Sequence, residues 1–245
     1  MARTFYLIFS IIAYAIFFAT FLYLIAFVGD FPVPRTVDEG GPQNSLGIAV
    51  VVDLALIALF GVQHSVMARQ GFKTAWTRIV PQTIERSIYV LFSSAVLWVL
   101  YHFWHPIPGD LWRVENMIGK DVLWVLFLLG WTIVLVSTFL INHFELFGLQ
   151  QVWQNFRGQK AADPAFRTPL FYKLVRHPLY TGFLLAFWAT PHMTYGHVLL
   201  AAGMTVYILI AIRYEERDLV GHFGEDYRRY QHDVGMLVPG IGKRG

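Results

Sequence analysis

Within five residues, Arg176-His177-Pro178-Leu179-Tyr180 supplies a guanidinium, an imidazole and a phenol, and Gly182 follows two positions on. A guanidinium can grip a carboxylate bidentately, and the two rings can stack on or hydrogen-bond a heterocycle. Pro178 stands where a helix can begin, because proline suits the first helical turn. Arg176 and His177 are thereby expected at a helix N-terminus, with Tyr180 and Gly182 in its first turn. Gly182 would allow close approach of another backbone or a ligand. Further on, Arg213-Tyr214-Glu215-Glu216-Arg217 places two adjacent carboxylates at the end of an apolar run, where they could face a cationic ligand. Plainer readings stand beside these. The first stretch could be a basic helix start that snorkels to a membrane interface, and the second a solvated helix extension with i,i+4 pairs. Asn142-His143-Phe144-Glu145 could likewise be an interfacial helix end.

The elements that would position these groups are membrane helices. Of the 245 residues 56% are hydrophobic, 17% aromatic and only 14% charged, with a mean hydropathy of +0.49. A soluble domain of this size could not hide so much apolar surface, so disorder and an ordinary cytosolic enzyme are excluded. The absence of cysteine removes disulfides, thiolate metal sites and cysteine nucleophiles. Apolar runs predict spans at about 6–28, 46–67, 87–103, 122–141, 179–190 and 198–212, at roughly 20 residues per crossing. The first run is too long for a signal-peptide core and is expected to be retained. The linker Pro191-His192-Met193-Thr194-Tyr195-Gly196-His197 favours a turn, so the last two spans should form a tight hairpin of short or tilted crossings. The expected fold is all-α: one integral membrane domain over 1–245, a polytopic bundle of five to six membrane helices.

The few charges are sorted along the chain. Arg3 and the segments 68–86, 142–178 and 213–245 hold 16 of the 19 Lys and Arg. The positive-inside rule places those segments in the cytoplasm, which puts both termini there and makes the number of crossings even. The spans are nearly free of ionisable groups, unlike those of a transporter. The polar material gathers in 142–178 and 213–245, so a site at the cytoplasmic mouth is expected, with the C-terminal tail lying over it. The net charge of +3 is then a matter of topology and ligand binding, and no nucleic-acid partner is expected.

The order of the motifs is more specific than any one of them. An R-H-P-x-Y-x-G stretch, a membrane hairpin, an E-E pair and then Phe223-Gly224-Glu225-Asp226-Tyr227-Arg228-Arg229-Tyr230 resemble the isoprenylcysteine carboxyl methyltransferase superfamily, which includes phospholipid methyltransferases and NnrU-like proteins. With Asn142–Trp153 and Gln63-His64-Ser65-Val66-Met67-Ala68-Arg69, the chain looks like the bacterial branch that methylates methanethiol to dimethyl sulfide in the cytoplasmic membrane. The resemblance implies S-adenosylmethionine as cofactor, and the lack of a G-x-G-x-x-G loop suits a methyltransferase without a Rossmann fold. It implies a cofactor cluster of His177, Tyr180, Glu215 and Glu216. Arg176 or Arg213 could pair with the cofactor's carboxylate, Tyr172 could contact adenine, and Gly182 would leave room.

Methylation of a small thiol implies a base, since a free thiol is mostly protonated at neutral pH; cysteine titrates near 8.5, and small alkyl thiols are weaker acids still. His143 is the first candidate, with Glu145 or Asn142 orienting it, and His64 the second. Trp98, Trp104, Trp124, Trp131, Trp153 and Trp188 are numerous enough to wall a compact apolar pocket, although lipid contact explains such residues equally. The expected partners are a small volatile thiol and membrane lipid; the oligomeric state is left open. A prenylcysteine or phospholipid methyltransferase is the alternative within the class. A membrane metal or haem protein is the rival outside it, resting on nine histidines that include His102, His105, His192 and His197. No H-x-x-x-H pair with carboxylates lies in a span, so no metal is expected.

Overall fold

A computed structural model describes residues 1–159 and 167–244. Residues 160–166, which carry Lys160 of the expected cytoplasmic segment, and Gly245 lie outside the described residues. Five helices are long and apolar enough to cross a membrane: α1 (Ala2–Val28), α2 (Leu46–Ala68), α4 (Gln82–Phe103), α5 (Met117–Ile141) and α9 (Tyr195–Phe223). The short helices are α3 (Gln70–Trp76), α6 (His143–Leu146), α7 (Leu149–Arg157), α8 (Pro178–Trp188) and α10 (Glu225–Asp233). The only strands among the described residues, β1 (Asp110–Arg113) and β2 (His192–Thr194), form a two-stranded sheet. The chain is thus a multi-pass helical membrane protein, as its composition requires.

Helix α1 turns polar and small residues inward. In α1 the buried residues include Ser10, Ala13 and Thr20, while Phe5, Ile8, Ile12, Phe18 and Leu22 are exposed. In water this order would be unfavourable, but against lipid tails an exposed apolar side chain costs nothing, and helix association relies on close packing and hydrogen bonds. Ser87 donates to Ser10 Oγ at 2.7 Å, and Trp98 Nε1 to Thr20 Oγ1 at 2.9 Å.

The hairpin agrees with the sequence expectation in one detail, the shortness of its first arm, and differs in another. α8 has 11 residues and reaches about 16 Å at 1.5 Å per residue, roughly half the hydrocarbon core. α9 runs 29 residues without a break, so the Glu215–Glu216 pair lies on the same helix as the last span and does not begin a separate tail. Helix propagation explains this: 213–223 contain no proline, and the only glycine before Phe223 is Gly221.

The chain divides into two compact units. Described residues of the first are 1–109, 142–159 and 194–200, and those of the second 110–141, 167–193 and 201–244. Within the second, α5 and α8 touch backbone to backbone. A Cβ built on Gly130 would lie 2.7 Å from the Gly182 carbonyl oxygen, and one on Gly182 would lie 2.7 Å from that of Gly130. The close approach that Gly182 permits is therefore to a helix. Gly182→Leu should force the pair apart at a cost of about 3 kcal/mol and lower the thermal transition in detergent by about 5–10 °C. A transition unchanged within 1–2 °C, a shift of well under 1 kcal/mol, would show that the contact carries no stability.

Candidate active site

His177 precedes Pro178, the first residue of α8, and Glu216 lies 21 residues into α9 (Tyr195–Phe223). Their elements bring them together in the second unit. The Glu216 side chain is fully buried and its four hydrogen bonds come from four residues. Oε1 accepts from Arg176 Nε at 2.7 Å and from His177 Nε2 at 3.1 Å; Oε2 accepts from Gln231 Nε2 at 2.9 Å and is 3.0 Å from Arg244 Nη2. A carboxylate taken out of water needs this much compensation. Because Oε1 accepts, the His177 proton is fixed on Nε2, and its Nδ1 faces Glu215 Oε2 at 4.0 Å, beyond hydrogen-bond reach.

Arg176 is bound from nearly every side. Its Nη1 donates to the carbonyls of Gln231 and Val234, and its Nη2 to that of Gly242. The backbone N–H groups of Arg176 and His177 donate to Gly235 and Met236 carbonyls at 2.8 and 3.1 Å, and Thr181 Oγ1 donates to the Leu237 carbonyl. The R-H-P stretch is thus the strip onto which the chain after α10 is fastened. Of the five guanidinium N–H groups, four are committed to this work, which leaves Arg176 little to offer a ligand. The chain after α10 lies against this strip, and this pairing is how it is held.

The remaining expected residues of this unit differ in exposure. Tyr180 stacks at a tilt on His177, ring centroids 5.7 Å apart. The Tyr172 carbonyl accepts from Tyr230 Oη. Burial, reinforced by Glu215 and Tyr230, pushes the Tyr172 phenol above its ordinary range, and burial does the same to Tyr227 and Tyr230; these phenols stay protonated at neutral pH. The Glu215 side chain is 44% exposed, so it is the member of the pair able to meet a ligand. Arg213 is exposed and points elsewhere: two positions along a helix turn a side chain about 200°, so Arg213 and Glu215 do not share a face.

His143, His64, Asn142 and Glu145 belong to the first unit. His143 is buried, 5% exposed, and its Nε2 lies 2.7 Å from Tyr14 Oη. Phe147 and Phe144 pack edge-on against its ring. Burial lowers its pKa, so the imidazole is neutral at neutral pH. Asn142 caps α6: its Oδ1 accepts from the Glu145 N–H, and its Nδ2 donates to Glu145 Oε2 and Gln150 Oε1 at 2.8 and 2.6 Å. Glu145 is exposed. The His143 ring is oriented by its hydrogen bond with Tyr14 of α1. The turn into α7 needs Gly148, which has φ +88° and no room for a Cβ, because Ser87 Oγ would stand 2.6 Å away.

The His64 proton can be placed by following the chain of donors. Ser93 Oγ donates to the Tyr89 carbonyl at 3.0 Å, so its one proton is spent. It must then accept from His64 Nδ1–H at 3.1 Å, which leaves His64 Nε2 to accept from Tyr89 Oη at 2.7 Å. Both ring nitrogens are engaged, a structural arrangement that leaves His64 no lone pair for a substrate proton. Among the described residues no group of three or more His, Asp or Glu is placed to hold a metal ion. His105 lies beside Asp53, His192 beside Asp110, and His102 beside Arg35.

Sequence reasoning missed Tyr14, Gln231 and Arg244. Tyr14 sits in the middle of an uncharged apolar run, where a lone hydroxyl gives no signal. Gln231 directly follows the F-G-x-x-Y-x-x-Y motif, and Gly235, Gly240 and Gly242 beyond it mark a folded-back tail, so that pair had a trace in the sequence.

A buried Arg–His–Glu cluster at the base of a helical hairpin in a polytopic membrane protein defines the class: a helical membrane protein with a polar site held at one end of its hairpin. The chain belongs to the NnrU protein family, whose model matches residues 53–238. It is 52% identical to a methanethiol S-methyltransferase of Mycobacterium tuberculosis over 98% of both chains. It is 48% identical to that of Crocosphaera subtropica, covering all of this chain and 95% of the relative. With the enzyme of Pseudomonas deceptionensis it shares 55% over 87% of this chain and 81% of the relative. No solved structure matches the chain.

Proposed function

We propose that this protein is a membrane methyltransferase that transfers a methyl group from S-adenosylmethionine to methanethiol, giving dimethyl sulfide. The observation that carries this reading is identity near 50% over essentially the whole chain to enzymes named for that reaction. A prenylcysteine or phospholipid substrate has no comparable support. The sorting of 16 of 19 cations onto alternate segments supports both termini in the cytoplasm of a bacterial cell and the site on that side.

The residues of the second unit fit S-adenosylmethionine. The buried Glu216 is satisfied by protein groups alone, so it is a positioning residue. Flanking it are one accessible group of each sign: Glu215, beside His177, and Arg244, whose side chain is 56% exposed while it touches Glu216. An amino-acid zwitterion offers the opposite signs. Glu215 would accept from the ammonium or the ribose, and Arg244 would take the carboxylate, a role for which Arg176 has too few donors left. Tyr180 and Tyr172 offer rings to the adenine.

When bound, the cofactor supplies an electrophilic methyl group on a sulfonium. The protein's task is to deliver a thiolate in line with it. His143, neutral and donating Nε2–H to Tyr14 Oη, would take the thiol proton on Nδ1, and the same hydrogen bond then steadies the imidazolium. Charge cancels as thiolate and sulfonium react, so positioning carries much of the rate. A choice among substrates tests this reading. With methyl-labelled S-adenosylmethionine and equal methanethiol, farnesylcysteine and phosphatidylethanolamine, the label should enter the volatile fraction. Label in the lipid extract instead would overturn it.

A further inference from the structure

A cavity of about 250 Å³ in the first unit plays no part in the chemistry above; it is lined by Tyr23, Pro34, Arg35, Trp98, Tyr101 and His102. Three aromatic rings make its walls. Tyr23 lies 4.9 Å from both Trp98 and Tyr101, centroid to centroid, and Trp98 meets Tyr101 edge-on at 5.7 Å. The rings are held in place. Trp98 Nε1 donates to Thr20 Oγ1, Tyr101 Oη to the Thr20 carbonyl, and Tyr23 Oη both donates to the Arg35 carbonyl and accepts from its N–H.

Arg35 gives the cavity its charge. Its Nη1 donates to the His102 carbonyl; among the described residues nothing takes its other guanidinium N–H groups. Of the three carboxylates on its loop, Asp30 accepts from Thr36 and Asp38 from Thr194, and Glu39 is exposed. An underused guanidinium beside an aromatic box disfavours a quaternary ammonium and favours an anion with an apolar body. Depth narrows the choice. Tyr23 lies near the C-terminal end of α1 and His102 in the last turn of α4, where membrane helices meet the lipid headgroups and where aromatic residues collect.

We propose that this cavity binds the phosphodiester of an anionic membrane phospholipid. Arg35 holds the phosphate, and Tyr23, Trp98 and Tyr101 wall the glycerol and the first methylenes of a chain. Native mass spectrometry of the detergent-solubilised protein titrated with phosphatidylglycerol tests it. One lipid should bind tightly, and Arg35→Gln should weaken that binding about fivefold or more, the contribution of one arginine at a membrane surface, while Arg35→Lys keeps most of it. Millimolar inorganic phosphate should not displace the lipid; displacement would identify a free-phosphate site and overturn the proposal, as would equal binding by Arg35→Gln. On the unaltered protein, a diazirine-bearing phosphatidylglycerol should label peptides containing Tyr23 or Trp98–His102, and labelling only elsewhere would overturn it without recourse to a variant.

Discussion

Glu216→Ala should lower the thermal transition by about 10 °C and remove measurable binding of S-adenosylhomocysteine. The substitution strands the Arg176 guanidinium, 3% exposed, without its counter-charge, and breaking a buried pair in this way costs about 3–5 kcal/mol. It also releases Gln231 and Arg244, so the tail loses part of its fastening to the start of α8. Glu215→Gln makes the useful comparison. That side chain is half-exposed, so stability should hardly change, while ligand affinity falls about tenfold through loss of a charge-assisted hydrogen bond. Scanning calorimetry and titration calorimetry on both variants separate the two roles. An unchanged transition and affinity in Glu216→Ala would remove the cluster from the account; an unchanged affinity in Glu215→Gln would remove Glu215 from the ligand.

The second large effect is expected at His143. His143→Ala should lose about 10²–10⁴-fold in turnover, the usual worth of a positioned base, and keep its affinity for S-adenosylhomocysteine. Loss of that affinity with turnover intact at saturation would give His143 a different role. Its pH dependence has a definite sign. Burial lowers the His143 pKa below the ordinary value near 6.5, so the basic form persists as the solution becomes acidic. The fall in kcat/KM should therefore begin below pH ~6.5 and be absent from the residual activity of His143→Ala. Stability should follow the same direction: the neutral, buried ring favours the fold above its ordinary pKa, and that advantage is lost as pH falls. Tyr14→Phe should retain the base but leave it poorly oriented, lowering turnover about tenfold.

Much of the fold was legible because bilayer thickness converts composition into helix length: α1, α2, α4, α5 and α9 follow directly from apolar runs. The break between α8 and α9 was marked by Pro191 and Gly196. What the runs did not reveal was that the helix carrying Glu215 and Glu216 continues to Phe223, because hydropathy ends where the lipid does and backbone hydrogen bonding does not. For the site, the spacing of Arg176, His177 and Glu216 gave no contact; their order in a recognised motif did. Even so, residue type alone could not tell a ligand from a fastening. Arg176 and Glu216 look like cofactor groups in sequence, yet their partners are the tail's own carbonyls, Gln231 and Arg244. Likewise the type of Gly182 allowed either another backbone or a ligand, and its neighbour is the backbone of Gly130.

The central claim is a single reaction, and headspace gas chromatography over the purified protein in lipid or detergent tests it most directly. Given methanethiol and trideuteromethyl S-adenosylmethionine, the protein should release trideuterated dimethyl sulfide in equal amount to the S-adenosylhomocysteine formed. Dimethyl sulfide no higher than over a heat-killed sample, from protein that still binds S-adenosylhomocysteine, would contradict it.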